Sequence, residues 1–236
     1  MHISMLYNVF VCLVAGFSGL LVYKKILEVR GEKIRGYNRG IDYFLLSFGI
    51  LWSLVGIRIL LVWLGYPHLD RMMWHFIVGP LTYFHILPLF YFYGSLFFKK
   101  NIYRIIFVSI FGITTFLAVL ALFVYGFELA ETTYWGTKYD ANEITHAIFT
   151  YGIFIPALLC IFFEFFNRIK IWKKEKRFID KQLLGINTAL LIYALVAVFD
   201  GLAIAGGWML LLVRIGIMIS ALVIYFFITE EDNTED

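Results

Sequence analysis

Apolar residues run along this chain in seven long blocks separated by short polar stretches, and the blocks are continuous rather than alternating. They predict helices at about 5–24, 41–65, 73–98, 104–126, 143–166, 182–205 and 208–228. Each is close to the ~20 apolar residues that a lipid core requires. A closed β-barrel is the other way to satisfy a backbone inside a membrane, and runs with no turn every ten residues or so exclude it. The expected fold class is therefore all-α: a polytopic, seven-transmembrane-helix bundle. It forms one domain over 1–228, with a short acidic tail over 229–236. Gly206-Gly207 leaves room for only a tight hairpin, so the last two helices are expected to be antiparallel neighbours. Pro80 and Pro88 in the third segment and Pro156 in the fifth each remove a backbone donor and bend a helix.

Composition agrees with this picture. The chain has 236 residues, 61% of them hydrophobic and 16% charged, whereas soluble domains carry about 25% charged residues. Seven helices and their short loops are expected to use nearly all of it, leaving no space for a soluble catalytic domain. Sixteen of the 20 Lys and Arg residues fall in Lys24–Arg39, Lys99–Arg104 and Arg168–Lys181. Basic loops stay on the cytoplasmic side, so the N-terminus is expected outside, the C-terminus inside, and the protein in the cytoplasmic (inner) membrane. Lys24-Lys25 follow the first apolar block instead of preceding it, which is the reverse of a secretory signal and reads as a retained helix. Cys12 and Cys160 lie at different depths and read as small core residues, not a disulfide. Many aromatics, Trp63, Trp74, Trp135 and Trp208 among them, sit at helix ends as an interfacial belt requires. The net charge of +3 belongs to the inner loops and gives no argument for nucleic acid.

Candidate chemistry begins with charges inside apolar blocks: Arg58, Asp200 and Arg214. Such residues face a bundle interior or a wet cavity. Counted along their helices at about 1.5 Å per residue, all three sit roughly 9–12 Å below the outer ends. Asp200 is expected to pair with Arg214 across the last hairpin, with Arg58 nearby. The trio sums to +1, so a second anion is called for: a carboxylate ligand, a lipid headgroup, or Glu143 or Asp70 reaching in. A structural salt bridge with one snorkelling Arg, an outward-opening ligand pocket and ion translocation all remain open. His75 and His146 fall near outer helix ends and His85 near the middle of the third helix. Depths of about 18 Å for His85 and about 5 Å for His146 match poorly as haem ligands. A hydrogen-bonded core role for His85, to Tyr151 or Tyr193, competes with a pH-responsive one.

Nucleotide-loop, zincin and nucleophile-elbow motifs are absent from the sequence. The final helix carries no central lysine for a retinal Schiff base, and the paired Pro-Gln motifs of small seven-helix sugar transporters are missing. Arg168, Lys170, Lys173, Lys174, Lys176 and Arg177, interleaved with Ile169, Ile171 and Trp172, form the third inner loop. That mixture determines topology, attracts anionic lipid, or docks a cytoplasmic protein partner.

Several stretches resemble the N-terminal seven-helix sensor region of bacterial histidine kinases and cyclic-dinucleotide enzymes. They are Lys181-Gln182 leading into Leu183-Leu184-Gly185, the helix containing Asp200, a short turn, and a helix ending Ala221-Leu222-Val223-Ile224-Tyr225. Trp52 and the step Pro88-Leu89-Phe90 look similar as well. The resemblance implies sensing of a small molecule or of membrane state, with the signal passed to a cytoplasmic domain. The sequence departs from that family after its last helix, with no dimerisation, kinase or cyclase region before Asp236. The expectation is therefore a non-enzymatic sensor that binds a small anionic ligand, needs no metal or cofactor, and signals through a partner. The rival readings are a haem- or quinone-holding subunit or anchor of a larger complex, and a small transporter.

Overall fold

The computed structural model describes residues 2–30, 38–175, 178–201 and 208–229. Its helices are α1 (Ile3–Arg30), α2 (Asn38–Trp63), α3 (Pro67–Phe97), α4 (Asn101–Tyr125), α5 (Glu143–Glu175), α6 (Phe178–Gly201) and α7 (Trp208–Thr229). Among the described residues, α1 to α6 each contain a stretch long and apolar enough to cross a membrane, and α7 contains the shorter apolar stretch Leu212–Phe227. Most of the α4 surface is apolar and exposed, including Ile106, Ile113, Phe116 and Leu120, while Ala118 and Leu122 are buried. A helix apolar on every side belongs in a nonaqueous surround. The chain is a helical, multi-pass membrane protein.

Helix ends run beyond the apolar blocks. α1 continues through Lys24 and Lys25 to Arg30, and α5 continues through Lys173 and Lys174 to Glu175. Apolarity marks where lipid would lie, whereas Lys, Glu and Leu sustain a helix well outside it. The Gly206-Gly207 turn and the tail from Glu230 onward lie outside the described residues.

The prolines act where expected, through a specific device. In α3 the backbone is α-helical over Pro67–Met73, widens to a π turn over Trp74–Val78, and resumes at Gly79 with Pro80 next. It breaks again at His85-Ile86 and restarts at Leu87 with Pro88 next. In α5 a second π turn, Thr150–Phe154, directly precedes Ile155-Pro156. A proline ring collides with the carbonyl four residues back, and a π turn relieves that collision by lengthening the preceding loop of backbone.

One stretch departs from an all-helical reading. The connection between α4 and α5 is an antiparallel hairpin of β1 (Phe127–Thr133) and β2 (Gly136–Ala141). Thr133 pairs with Gly136, leaving Tyr134-Trp135 as a two-residue loop. Gly136 takes a φ of 139°, open to glycine and strained for other residues. A bulge between Leu129 and Glu131 breaks the alternation that would have advertised a strand.

The helices close a ring in chain order: each packs on the next, and α7 returns to α1. Its interior is aromatic: Phe44, Phe48 and Tyr193 are in mutual ring contact, and Trp52 packs on Phe48. α1 and α2 approach closely where Gly16 meets Gly49 and Ser53. A Cβ on Gly49 would lie 2.9 Å from the Gly16 carbonyl oxygen and 2.7 Å from Leu20. Small residues allow this backbone contact, a common basis for helix association in membranes. Gly49→Val is expected to cost about 1–3 kcal/mol through overpacking, read as a lower midpoint of thermal unfolding in detergent. An unchanged midpoint would show that this interface yields freely.

Candidate functional site

At the end of the bundle beneath the hairpin, the two charges Arg58 and Asp70 are buried together. Arg58 comes from the last turns of α2 and is 4% exposed; Asp70, in the first turn of α3, is 0% exposed. Arg58 Nη1 lies 3.2 Å from Asp70 Oδ1. The other carboxylate oxygen, Oδ2, accepts from the Thr137 hydroxyl and the Tyr139 hydroxyl, both at 2.6 Å. Arg58 also donates to Thr137, reaching Oγ1 at 3.3 Å and the carbonyl at 3.0 Å. Its guanidinium carbon lies 5.1 Å from the ring centres of Trp74 and Tyr139, within cation–π range. Two helices and one strand thus converge on one ion pair, and the strand is held through it.

Of the anions weighed from the sequence, Asp70 is the one that reaches Arg58. Arg214 is also buried; it donates to Cys12 Sγ, and its guanidinium carbon lies 5.4 Å from the Trp52 ring centre. It is near enough to Arg58 for the two cations to repel. The backbone at Asp200 is helical, but its side chain, and with it the expected pairing to Arg214, lies outside the described residues.

The hairpin turn is anchored on α1. Ser4 Oγ donates to the Tyr134 carbonyl at 2.6 Å, Asn8 Nδ2 donates to the Trp135 carbonyl, and the His2 ring meets Tyr134 at 4.0 Å. On its far side Phe127 packs on Tyr139 and His75, with Arg71 above its ring. The hairpin therefore lies as a lid across the ends of α1, α2 and α3.

The histidines occupy separate environments. His75 sits among Phe76, Phe123 and Phe127, and His146 is exposed. His85 is buried where α3 breaks. Its Nδ1 lies 2.6 Å from the Thr82 carbonyl and its Nε2 lies 2.6 Å from the Tyr193 hydroxyl. A carbonyl only accepts, so Nδ1 carries the hydrogen and Nε2 accepts from Tyr193. Tyr193, one of two partners open from the sequence, is the one used. With both nitrogens engaged, His85 could bind iron only by giving up Tyr193. Among the described residues no three His, Cys, Asp or Glu side chains gather as a metal site.

At the opposite end, Arg168 is turned onto the buried Glu164 four residues back, and Asn167 donates to the same carboxylate at 3.3 Å. Lys170, Lys173 and Lys174 are exposed, while Lys176 and Arg177 lie outside the described residues. Glu164 went unremarked in the sequence although its i,i+4 spacing to Arg168 was a visible signal. Thr137, Tyr139 and Asn8 carried no local signal, because their partners are remote in the chain, and Trp74 stood out only as an aromatic at a helix end, not as a partner of Arg58.

Removing one member of a buried pair strands the other. Asp70→Ala is expected to destabilise by about 3–5 kcal/mol, and Asp70→Leu combined with Arg58→Met to recover most of that. Denaturant or thermal unfolding of the three proteins in detergent checks this, and a double variant no better than the single one would count against it.

Burial first, and then the hydrogen bond to Asp70, hold the Tyr139 hydroxyl above its ordinary value of 10.0. The unfolded chain releases that proton near pH 10 while the folded chain retains it. The stability Tyr139 supplies is therefore fully present below about pH 10 and is lost as pH rises through the raised value. The stability gap between wild type and Tyr139→Phe should hold constant from about pH 7 to 9 and narrow above about pH 10; a gap that widens there would contradict this.

Compared against protein-family models, curated proteins and solved structures, the chain finds no match.

Proposed function

We propose that this protein is a sensor-like module of the cytoplasmic membrane with seven spanning helices, N-terminus outside and C-terminus inside. In this reading it binds a small anion beneath the hairpin lid and signals through a cytoplasmic protein partner. It performs no reaction of its own. The segregation of basic residues into three loops supports the orientation, and the exposed Lys170, Lys173 and Lys174 at the far end of α5 support a docking role there.

The observation that carries the ligand reading is a surplus of buried donors around the Arg58–Asp70 pair. Among the described residues, Arg58 Nε and Trp74 Nε1 facing it are buried without an acceptor, as is Trp52 Nε1 beside the neighbouring Arg214. Asp70 gives Oδ2 to two hydroxyls, while Oδ1 faces Arg58 at ion-pair distance without a hydrogen bond, so among the described residues the pair is incompletely satisfied on both sides. Buried donors of this kind cost roughly 1–3 kcal/mol each when unanswered. A carboxylate or phosphate answers several at once, with charge assistance.

The lid supplies two states for such a ligand to choose between. An anion seated on Arg58 competes with Asp70, and Asp70 is what Thr137 and Tyr139 hold. Binding would thus loosen β2 from α3 and alter how α2 and α3 pack. A ligand shifts such an equilibrium only through different affinity for the two states, and this competition provides the difference.

A screen of small carboxylates and phosphates for thermal stabilisation of the detergent-solubilised protein tests the reading. At least one is expected to raise the midpoint of wild type, and Arg214→Ala is expected to abolish that rise. Stabilisation that survives in Arg214→Ala, or none across the screen, would remove the pocket and leave a membrane anchor as the better description.

A further inference from the structure

At the end of the bundle away from the hairpin, a cavity of about 230 Å³ opens between α3 and α4, lined by Tyr91, Asn101, Arg104, Ile105, Val108 and Ser109. Arg104 is half-buried. Its guanidinium carbon lies 5.4 Å from the Tyr91 ring centre, and Nη2 donates to Asn101 Oδ1. Both companions are neutral, and no carboxylate meets Arg104 among the described residues. That contrasts with Arg58 and Arg168, which are matched by Asp70 and Glu164.

The walls change character along α4. Asn101 and Arg104 stand at its first turn, Ile105 and Val108 one turn further on, and the adjoining Ile102 and Ile106 are exposed. A cation at the mouth of an apolar groove fits a ligand with an anionic head and a hydrocarbon body. Lys99 and Lys100, also exposed, precede the helix and add positive potential at the same level. Basic pockets between spanning helices near the cytoplasmic boundary hold anionic headgroups for this reason.

We propose that this cavity is a binding site for one anionic phospholipid, its phosphate on Arg104 and Asn101 and the start of an acyl chain along Ile105 and Val108. A free phosphate would gain the charge contact but nothing from the apolar wall, so the lipid is the ligand the whole groove fits.

Native mass spectrometry of the detergent-solubilised full chain, titrated with phosphatidylglycerol or phosphatidylcholine of matched chains, tests this directly. Wild type is expected to keep one phosphatidylglycerol roughly five-fold more tightly than phosphatidylcholine, the effect of about one cation on an anionic lipid. Arg104→Gln should bring the two lipids level, and Arg104→Lys should keep most of the preference, which separates lost charge from lost fold. Equal retention of both lipids by wild type, or an undiminished preference in Arg104→Gln, would overturn the site. So would full displacement of the lipid by millimolar inorganic phosphate, which would make the groove a free-anion site.

Discussion

A guanidinium held inside an apolar bundle must be answered by an anion close at hand, and much of this protein's architecture at one end follows from how Arg58 is answered. Asp70 provides that anion. It does so because Pro67 starts α3 right after the chain turns at Gly65, where φ is 87°, so Asp70 falls in the first helical turn and faces back toward α2. The carboxylate then has a second oxygen to satisfy, and Thr137 and Tyr139 of β2 satisfy it. A two-stranded hairpin has marginal stability alone. This one persists because its polar residues complete a buried ion pair and its turn is tied to Ser4 and Asn8 of α1. Pair and lid depend on each other.

The same constraint explains why backbone irregularities cluster in α3 and α5. Every spanning helix must satisfy its own amides, so a proline inside it is tolerated only with a local remedy. The π turn ahead of Pro80 spans Trp74 to Val78, which includes the tryptophan facing Arg58. The break ahead of Pro88 holds His85, whose ring takes the Thr82 carbonyl as one partner and Tyr193 of α6 as the other. Prolines that distort these helices thus also re-aim the side chains that give the interior its polar contacts. Shape and chemistry share one cause.

The helical, membrane-spanning character of the fold was legible from the sequence because continuous apolarity reports on the solvent directly, residue by residue. The site was legible only in part, and Arg58 and Asp70 show why. Arg58 stood out because a charge among Ile, Leu and Val is conspicuous in any context. Asp70 sits in a polar connection, where a carboxylate is ordinary, and its burial depends on a hairpin more than sixty residues away. That hairpin was hidden in turn by its bulge and by a composition, Glu and Thr with scattered aromatics, that reads as a surface loop. Asn8 and Cys12 were invisible as neighbours of the hairpin and of Arg214 for the same reason. Contacts between remote segments leave no periodic trace in either partner.

The two ends of the bundle answer cations differently, and the difference bears on what each end can exchange with its surroundings. Arg58 is enclosed with its carboxylate, under aromatic rings and a lid, so a ligand that takes its Nη atoms displaces a contact already made. Such a ligand must compete, and competition is what couples occupancy to a change in packing. Among the described residues Arg104 has only neutral partners, and it lines an open groove where occupancy by a lipid would add contacts and remove none. A site of the first kind suits a switch, because binding must break something. A site of the second kind suits a permanent resident that sets the depth and tilt of α3 and α4 in the membrane. The two ends are joined by α3 and α4 themselves, since α3 runs from beneath the hairpin to the groove and α4 runs from the groove into the hairpin.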